Sequence, residues 1–147
     1  MFQITTTIHA SPERVWSTLL DVERWPQSTT SMTSVERLDR GPFQLGSRAR
    51  IKQPKLPPLV WTVTDFQPLR GFTWTASSPG AATFATHELA PGPDGTTSVT
   101  LAIYRRGPLA ALLDLLFGGL TRDYVTREIE GLKRTCEAAM HTASAAT

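Results

Sequence analysis

The sequence predicts an α+β domain in which one strand, two short helices and six further strands precede a long C-terminal helix. Seven stretches alternate between apolar and polar residues, which is the period of a half-buried strand. The links between the later strands are short and rich in Gly, Pro and Asp. Such links favour antiparallel neighbours, because a parallel crossover needs about a dozen residues or more. From about Pro108 to Met140 the apolar residues instead repeat at helical spacing.

The N-terminal segment combines a strand with a capped helical pair. Residues 2–8 alternate and are predicted to form the first strand. Ser11 is a good N-cap for the helix that follows, and Pro12 suits its first turn, where no N–H is needed. The helical pair continues to about Trp25, and we expect Pro26 to end it.

The six further strands are predicted over residues 32–38, 47–53, 59–66, 71–77, 82–89 and 97–104. Because successive side chains of a strand point to opposite faces, the bulky apolar positions identify the inner face. In the second of these strands Ala49 and Ile51 are predicted to point inward, which leaves Arg48, Arg50 and Lys52 outside. The cationic side chains are expected to pair with Glu88 or with other outward residues of an adjacent strand.

The long helix carries an apolar stripe on both sides of Gly118 and Gly119, which are the predicted position of a kink or break. Cys136 falls on this stripe and is expected to be a buried, inert thiol. The chain shows no internal repeat or linker, so residues 1–141 are predicted to form a single domain. Residues 142–147 are small and polar and are expected to be a flexible tail.

Composition excludes several classes of function. The chain has 147 residues, a formal net charge of +2 and a single cysteine, so it forms no internal disulfide. Its lysines and arginines are scattered, which argues against nucleic-acid binding, and three dispersed histidines make a poor metal site. Residues 108–120, the longest apolar stretch, are too few to span a bilayer. No secretory signal is visible, so a cytoplasmic location is expected. No cofactor motif is present.

These residues together resemble a known superfamily. The opening strand, the segment ASPERVWSTLLDVERWP, the run of strands and the C-terminal helix are similar to START-like or SRPBCC proteins over roughly residues 2–140. That group includes the birch-pollen-allergen fold, small polyketide cyclases and lipid-transfer domains. The resemblance implies a helix-grip fold, in which a curved antiparallel sheet wraps around the long helix. It also implies an apolar cavity between them.

The inward positions give a candidate set of ligand-binding residues. Sheet parity and the helix stripes predict that the cavity is formed by Trp25, Trp61, Phe72, Trp74, His87, Leu101, Ile103, Leu113, Leu116, Leu120 and Tyr124. The alternative is that these side chains simply fill the core. A free volume below about 100 Å³ would favour the filled core, since it is small for pockets that hold small molecules.

His87 is the one titratable side chain predicted to point inward among apolar neighbours. A neutral imidazole there can donate to a ligand oxygen or act as a base, and it is the candidate catalytic residue. The plainer interpretation is a structural histidine bonded to a hydroxyl or a backbone carbonyl. If the strand register shifted by one residue, Arg48 would point into the cavity with Trp61 and Tyr124. Aromatases of the superfamily present arginine, tyrosine and tryptophan to their substrates.

Three functions follow as hypotheses. The first is binding, with or without transport, of a hydrophobic or aromatic small molecule or lipid by a monomer or homodimer. The second is a polyketide cyclase or dehydratase that uses His87 or an inward arginine. The third is a subunit that docks another protein through a sheet edge or through the proline-rich residues 54–58. Since one fold hosts many activities, the resemblance alone does not choose among them.

Overall fold

The computed structural model describes the backbone of residues 1–145 and the side chains of residues 1–138. It has the predicted α+β order, with a seven-stranded antiparallel sheet and a long C-terminal helix. The strands are β1 (Phe2–Ile8), β2 (Ser34–Arg37), β3 (Arg48–Lys52), β4 (Leu59–Gln67), β5 (Gly71–Ser78), β6 (Ala81–Pro91) and β7 (Thr97–Arg106). The helices are α1 (Pro12–Leu20), α2 (Trp25–Ser28) and α3 (Ala110–Ala145), with 3₁₀ turns at Val22–Arg24 and Pro93–Gly95.

The sheet has the order β1-β7-β6-β5-β4-β3-β2, and every neighbouring pair is antiparallel. The first strand therefore pairs with the last, and β1 and β2 form the two open edges. The register of β4 against β5 shifts between Val63 and Asp65, as it does at a β-bulge, which bends a strand. The predicted helix-grip architecture, with a curved sheet around the long helix, is confirmed.

The N-terminal cap of α1 is as predicted, whereas the end of α2 lies beyond the predicted position. The Ser11 hydroxyl accepts from the backbone N–H of Arg14 at 3.2 Å, and Pro12 occupies the first turn of α1. Pro26 does not end the helical pair, because α2 continues to Ser28. Its position in the first turn explains this, since the N–H that proline lacks has no intrahelical partner there.

The inner faces of the strands carry the predicted side chains. Among them, Ala49, Ile51, Trp61, Val63, Phe72, Trp74, His87, Leu89, Val99 and Leu101 are buried. Arg48 and Arg50 are exposed, so the one-residue register shift that would turn Arg48 inward does not occur. Arg50 pairs with Glu36 on β2 at 3.5 Å rather than with Glu88. Lys52 is half-buried, and its ammonium group donates to the backbone carbonyls of Gln53 and Leu56.

The long helix departs from the prediction in its first half. No break occurs at Gly118 and Gly119, because α3 runs without interruption from Ala110 to Ala145. A Cβ on either glycine would meet nothing within 4 Å, so neither marks a close approach to the sheet. Cys136 is buried as expected, and burial raises the pKa of its thiol. The tail prediction for 142–147 concerns residues whose side chains lie outside the described part of the chain.

Candidate ligand-binding site

A cavity of about 80 Å³ lies between the inner face of the sheet and α3. Six predicted residues line it: Trp25, Trp61, Trp74, Leu101, Ile103 and Tyr124. Met32, Ile51, Leu59, Ala85 and Val125 extend its apolar wall. The volume is below the limit of about 100 Å³ given above. Pockets that hold drug-sized ligands reach roughly 300–1,000 Å³, so a ligand of that size would need the cavity to open.

Five predicted residues do not line this cavity, and one of them, His87, is described separately below. Phe72 is 2 % exposed and packs within an aromatic cluster, 5.0 Å from the ring of Phe43 and 5.5 Å from the ring of Trp74. Leu113 and Leu120 are half-buried outside the cavity, and Leu116 is 64 % exposed. The first turns of α3 therefore lie beyond the apolar interior, although their sequence is as apolar as that of the turns that follow.

A loop between β3 and β4, residues 53–58, covers one side of the cavity. Gln53 and Leu56 contribute to the lining. The loop is held at both ends, since the Tyr124 hydroxyl donates to the Pro54 carbonyl and Lys52 donates to the Leu56 carbonyl. This loop is the proline-rich segment that the third hypothesis assigns to protein docking. Its contacts also connect it to the cavity.

His87 lies beside a second, smaller cavity of about 30 Å³. The residue is 3 % exposed, and its ring stacks on Phe72 with 4.3 Å between ring centroids. The Nδ1 atom lies 3.3 Å from the Phe72 carbonyl oxygen, which only accepts, so Nδ1 carries the hydrogen. Burial lowers the pKa of His87 to about 4, and the imidazole is neutral near pH 7. This matches the interpretation of a histidine bonded to a backbone carbonyl.

Glu128 of α3 is a functional candidate that the sequence analysis missed. It lines both cavities and is half-buried. Burial raises the pKa of its carboxyl to about 8. No hydrogen bond or ion pair reaches Glu128 from the side chains of residues 1–138 or from the described backbone. The sequence does contain a signal for this residue. Glu128 follows Tyr124 by four residues and precedes Leu132 by four, so it lies on the apolar stripe of the helix.

Arg105 is an arginine that lines the cavity. It lies two residues beyond Ile103 on β7, and the predicted strand ended one residue too early to include it. Its guanidinium group lines the cavity, pairs with Asp114 at 2.8 Å and donates to the Thr121 hydroxyl at 2.9 Å. Both partners belong to α3, so this group attaches the first turns of the helix to the sheet.

Two further kinds of feature, metal-binding clusters and membrane-spanning helices, were sought among the described residues. Over the part of the chain that the structure describes, no three His, Cys, Asp or Glu side chains are grouped to hold a metal ion. Among the described helices, none is long and apolar enough to cross a membrane.

Solved structures share the fold at low sequence identity. A hypothetical protein of Helicobacter pylori aligns with a TM-score of 0.77 and 10 % identity over 91 % of this chain and 86 % of its own. A Thermus thermophilus protein aligns with a TM-score of 0.70 and 21 % identity over 93 % and 97 %. The di-domain ARO/CYC StfQ from the steffimycin biosynthetic pathway aligns with a TM-score of 0.67 and 17 % identity. That match covers 96 % of this chain and 46 % of StfQ.

These similarities establish the fold alone. No curated protein sequence matches the chain. A family model described as polyketide cyclase / dehydrase and lipid transport matches residues 1–137, which is nearly the whole chain. The superfamily resemblance is confirmed by this match, and the chain belongs to the polyketide cyclase/dehydrase and lipid-transport family.

Proposed function

We propose that this protein binds a hydrophobic or aromatic small molecule in the cavity between the sheet and α3. The observation that carries the proposal is Glu128, a carboxyl without a hydrogen-bond partner among the described residues, in an apolar cavity wall. An apolar side chain would suit this half-buried position better if the core only stabilised the fold, since desolvating a carboxyl without a hydrogen-bond partner is unfavourable. Structures tend to break this rule at functional sites.

Entry of the ligand requires the cavity to enlarge, and the 53–58 loop is the element best placed to move. Its backbone extends over the cavity from β3 to β4, and one contact with α3, from Tyr124 to Pro54, holds it closed. Displacement of Leu56 would widen the space without disturbing the sheet. The ligand would then lie against the indoles of Trp25, Trp61 and Trp74.

Titration with toluene, a small apolar probe, tests this function by amide chemical shifts in NMR spectra. We expect saturable shifts around the cavity in the wild-type protein. Ala85→Leu should weaken binding at least tenfold, because the added side chain occupies the cavity that Ala85 lines. Ala90→Leu, on the exposed side of the same strand, is the matched control and should bind as wild type does. Equal binding by both variants, or none by the wild type, would refute the proposal.

A second candidate, a polyketide cyclase or dehydratase, is favoured by the presence of both Glu128 and Arg105 in the wall of one cavity. A carboxyl whose pKa lies near 8 is suited to general acid catalysis at neutral pH. In a cyclisation, an enol carbon would attack a ketone carbon while Glu128 gives its proton to the ketone oxygen, and the enol oxygen would release its proton to solvent, from which the Glu128 carboxylate would be reprotonated. Turnover of a poly-β-keto thioester by the wild type, lost in Glu128→Gln while toluene still binds, would support it. If toluene binds and the thioester is not turned over, the cyclase candidate is refuted and ligand binding stands as the function of the cavity.

A further inference from the structure

The smaller cavity, which we call the polar recess, adjoins the larger one. Its wall includes Leu19, Trp25, His87, Leu101, Glu128 and Leu132. Trp25, Leu101 and Glu128 line both spaces, so a ligand in the larger cavity would face the recess directly. At about 30 Å³ the recess has room for one or two atoms of water size and no room for a ring.

Most polar groups around the recess are already paired. The Thr18 hydroxyl donates to the Arg14 carbonyl, the Ser28 hydroxyl to the Trp25 carbonyl, and the Thr29 hydroxyl bonds Ser31. The indole N–H of Trp25 donates to the Leu19 carbonyl at 3.2 Å. Two polar groups of the recess wall are not paired in this way: the Nε2 atom of His87 and the carboxyl of Glu128. Neither has a hydrogen-bond partner in the described part of the chain.

These two groups are complementary to each other in hydrogen bonding. Because Nδ1 of His87 carries the ring hydrogen, Nε2 presents a lone pair and can only accept. The neutral carboxyl of Glu128 can donate its O–H. The other charged or titratable groups along the two cavities are Arg105 on β7, engaged by Asp114 and Thr121, and Tyr124, engaged by Pro54. Neither of these competes for the recess.

We propose that the recess is a hydroxyl-recognition subsite, so that the ligand is an alcohol or a phenol. The ligand O–H would donate to Nε2 of His87, and its oxygen would accept from the Glu128 carboxyl. The apolar body of the ligand would remain in the larger cavity. This inference rests on the proposed binding function and adds the chemical class of the ligand.

Three probes that share a tolyl ring separate the two contacts. p-Cresol both donates and accepts, 4-methylanisole only accepts, and toluene does neither. For the wild-type protein we expect p-cresol to bind at least tenfold more tightly than toluene, with 4-methylanisole between them. In Glu128→Met, 4-methylanisole should fall to the affinity of toluene, whereas p-cresol should keep the part of its advantage that comes from donation to His87. In His87→Phe only the advantage of p-cresol over 4-methylanisole should disappear.

The controls keep this proposal distinct from the binding function itself. Glu130→Met changes an exposed glutamate two residues along α3 and should leave all three affinities unchanged. Toluene binding by Glu128→Met shows that the variant is folded and that its cavity is intact. If toluene and p-cresol bind the wild type equally, the hydroxyl subsite is refuted and the binding function stands. If no probe binds, both proposals fail.

Discussion

The two halves of α3 have similar apolar content and opposite environments. In the second half, Tyr124, Val125, Ile129, Leu132 and Cys136 are all buried. In the first half, Leu112, Leu115 and Leu116 are exposed, with 81 % of Leu115 accessible to solvent. Composition therefore does not decide which turns of this helix belong to the core. The elements that cover each half decide it.

The contacts that cover the two halves differ. The helix as a whole packs against α1, α2, β1 and β7. Its second half meets α2, where Gly131 lies against Ser28 and Arg134 donates to the Ser28 carbonyl. Lys133 donates to the Thr7 carbonyl and Glu137 accepts from the His9 amide, which attaches this half to β1. The first half has few attachments, chiefly Arg105 to Asp114 and Thr121. The cavity lies where these two environments meet, beside Tyr124 and Glu128.

The largest contrast should appear when an apolar side chain is truncated in each half. Ile129→Ala should lower the free energy of unfolding by about 3 kcal/mol, because Ile129 is 2 % exposed and its loss leaves a cavity. Leu116→Ala, in the exposed half, should change it by less than about 0.5 kcal/mol. Urea denaturation of the two variants measures both values. Equal losses would mean that the first half is covered in solution.

Two glycines of α3 provide a second contrast. A Cβ on Gly131 would lie 2.1 Å from the Ser28 carbonyl oxygen, so Gly131→Ala must push α2 and α3 apart. We expect a loss of about 2 kcal/mol. Gly119→Ala meets open space and should stabilise the helix by roughly 0.5–1 kcal/mol. Thermal unfolding should show shifts of opposite sign, and a loss of stability in Gly119→Ala would contradict this reading.

Glu128 should give the protein a pH-dependent stability of unusual sign. The native carboxyl keeps its proton up to pH 8, whereas the unfolded one loses it near 4.5. The unfolded state therefore binds fewer protons in this window, and wild-type stability falls as the pH rises from 4.5 to 8. His87 acts in the opposite direction, because its lowered pKa removes stability as the pH falls from 6.5 to 4.

The two groups can be separated between pH 6.5 and 8, where of the two only Glu128 contributes. In Glu128→Gln the free energy of unfolding should no longer fall between pH 6.5 and 8. The change across this interval should differ from that of the wild type by on the order of 1 kcal/mol. Unfolding by urea at several pH values measures it. Glu130→Gln removes an exposed carboxyl from the same helix and should follow the wild-type profile. Parallel profiles for wild type and Glu128→Gln would show that Glu128 is ionised in the native protein.

The sequence predicted the sheet well because strand parity is local information. One bulky residue such as Trp74 or Leu101 fixes the face of its strand, and the alternation supplies the rest. It predicted α3 less well, because helical spacing marks an apolar face without saying what covers that face. Leu113, Leu116 and Leu120 continue the helical spacing of Tyr124, yet Leu113 and Leu120 are only half-buried and Leu116 is exposed.

The polar part of the candidate site was harder to predict for a related reason. Glu128 and Arg105 each continue an inward-facing pattern whose other members are apolar. A search for apolar residues at that spacing therefore does not find them. Gly131 was missed because a close approach between helices depends on their crossing point, which no local spacing reveals. A charged residue that falls in step with an apolar stripe is therefore the signal to look for.

The smallest predicted effect concerns the contact between α3 and the 53–58 loop. Tyr124→Phe removes the hydroxyl that donates to Pro54 and should cost about 1 kcal/mol of stability or less. If the loop covers the entrance, toluene should also enter and leave faster, with little change in affinity, as measured by NMR exchange broadening. Tyr104→Phe, which keeps its stacking on Phe84 on another part of the sheet, is the control. Unchanged exchange rates in Tyr124→Phe would assign entry to the loosely attached first half of α3 instead.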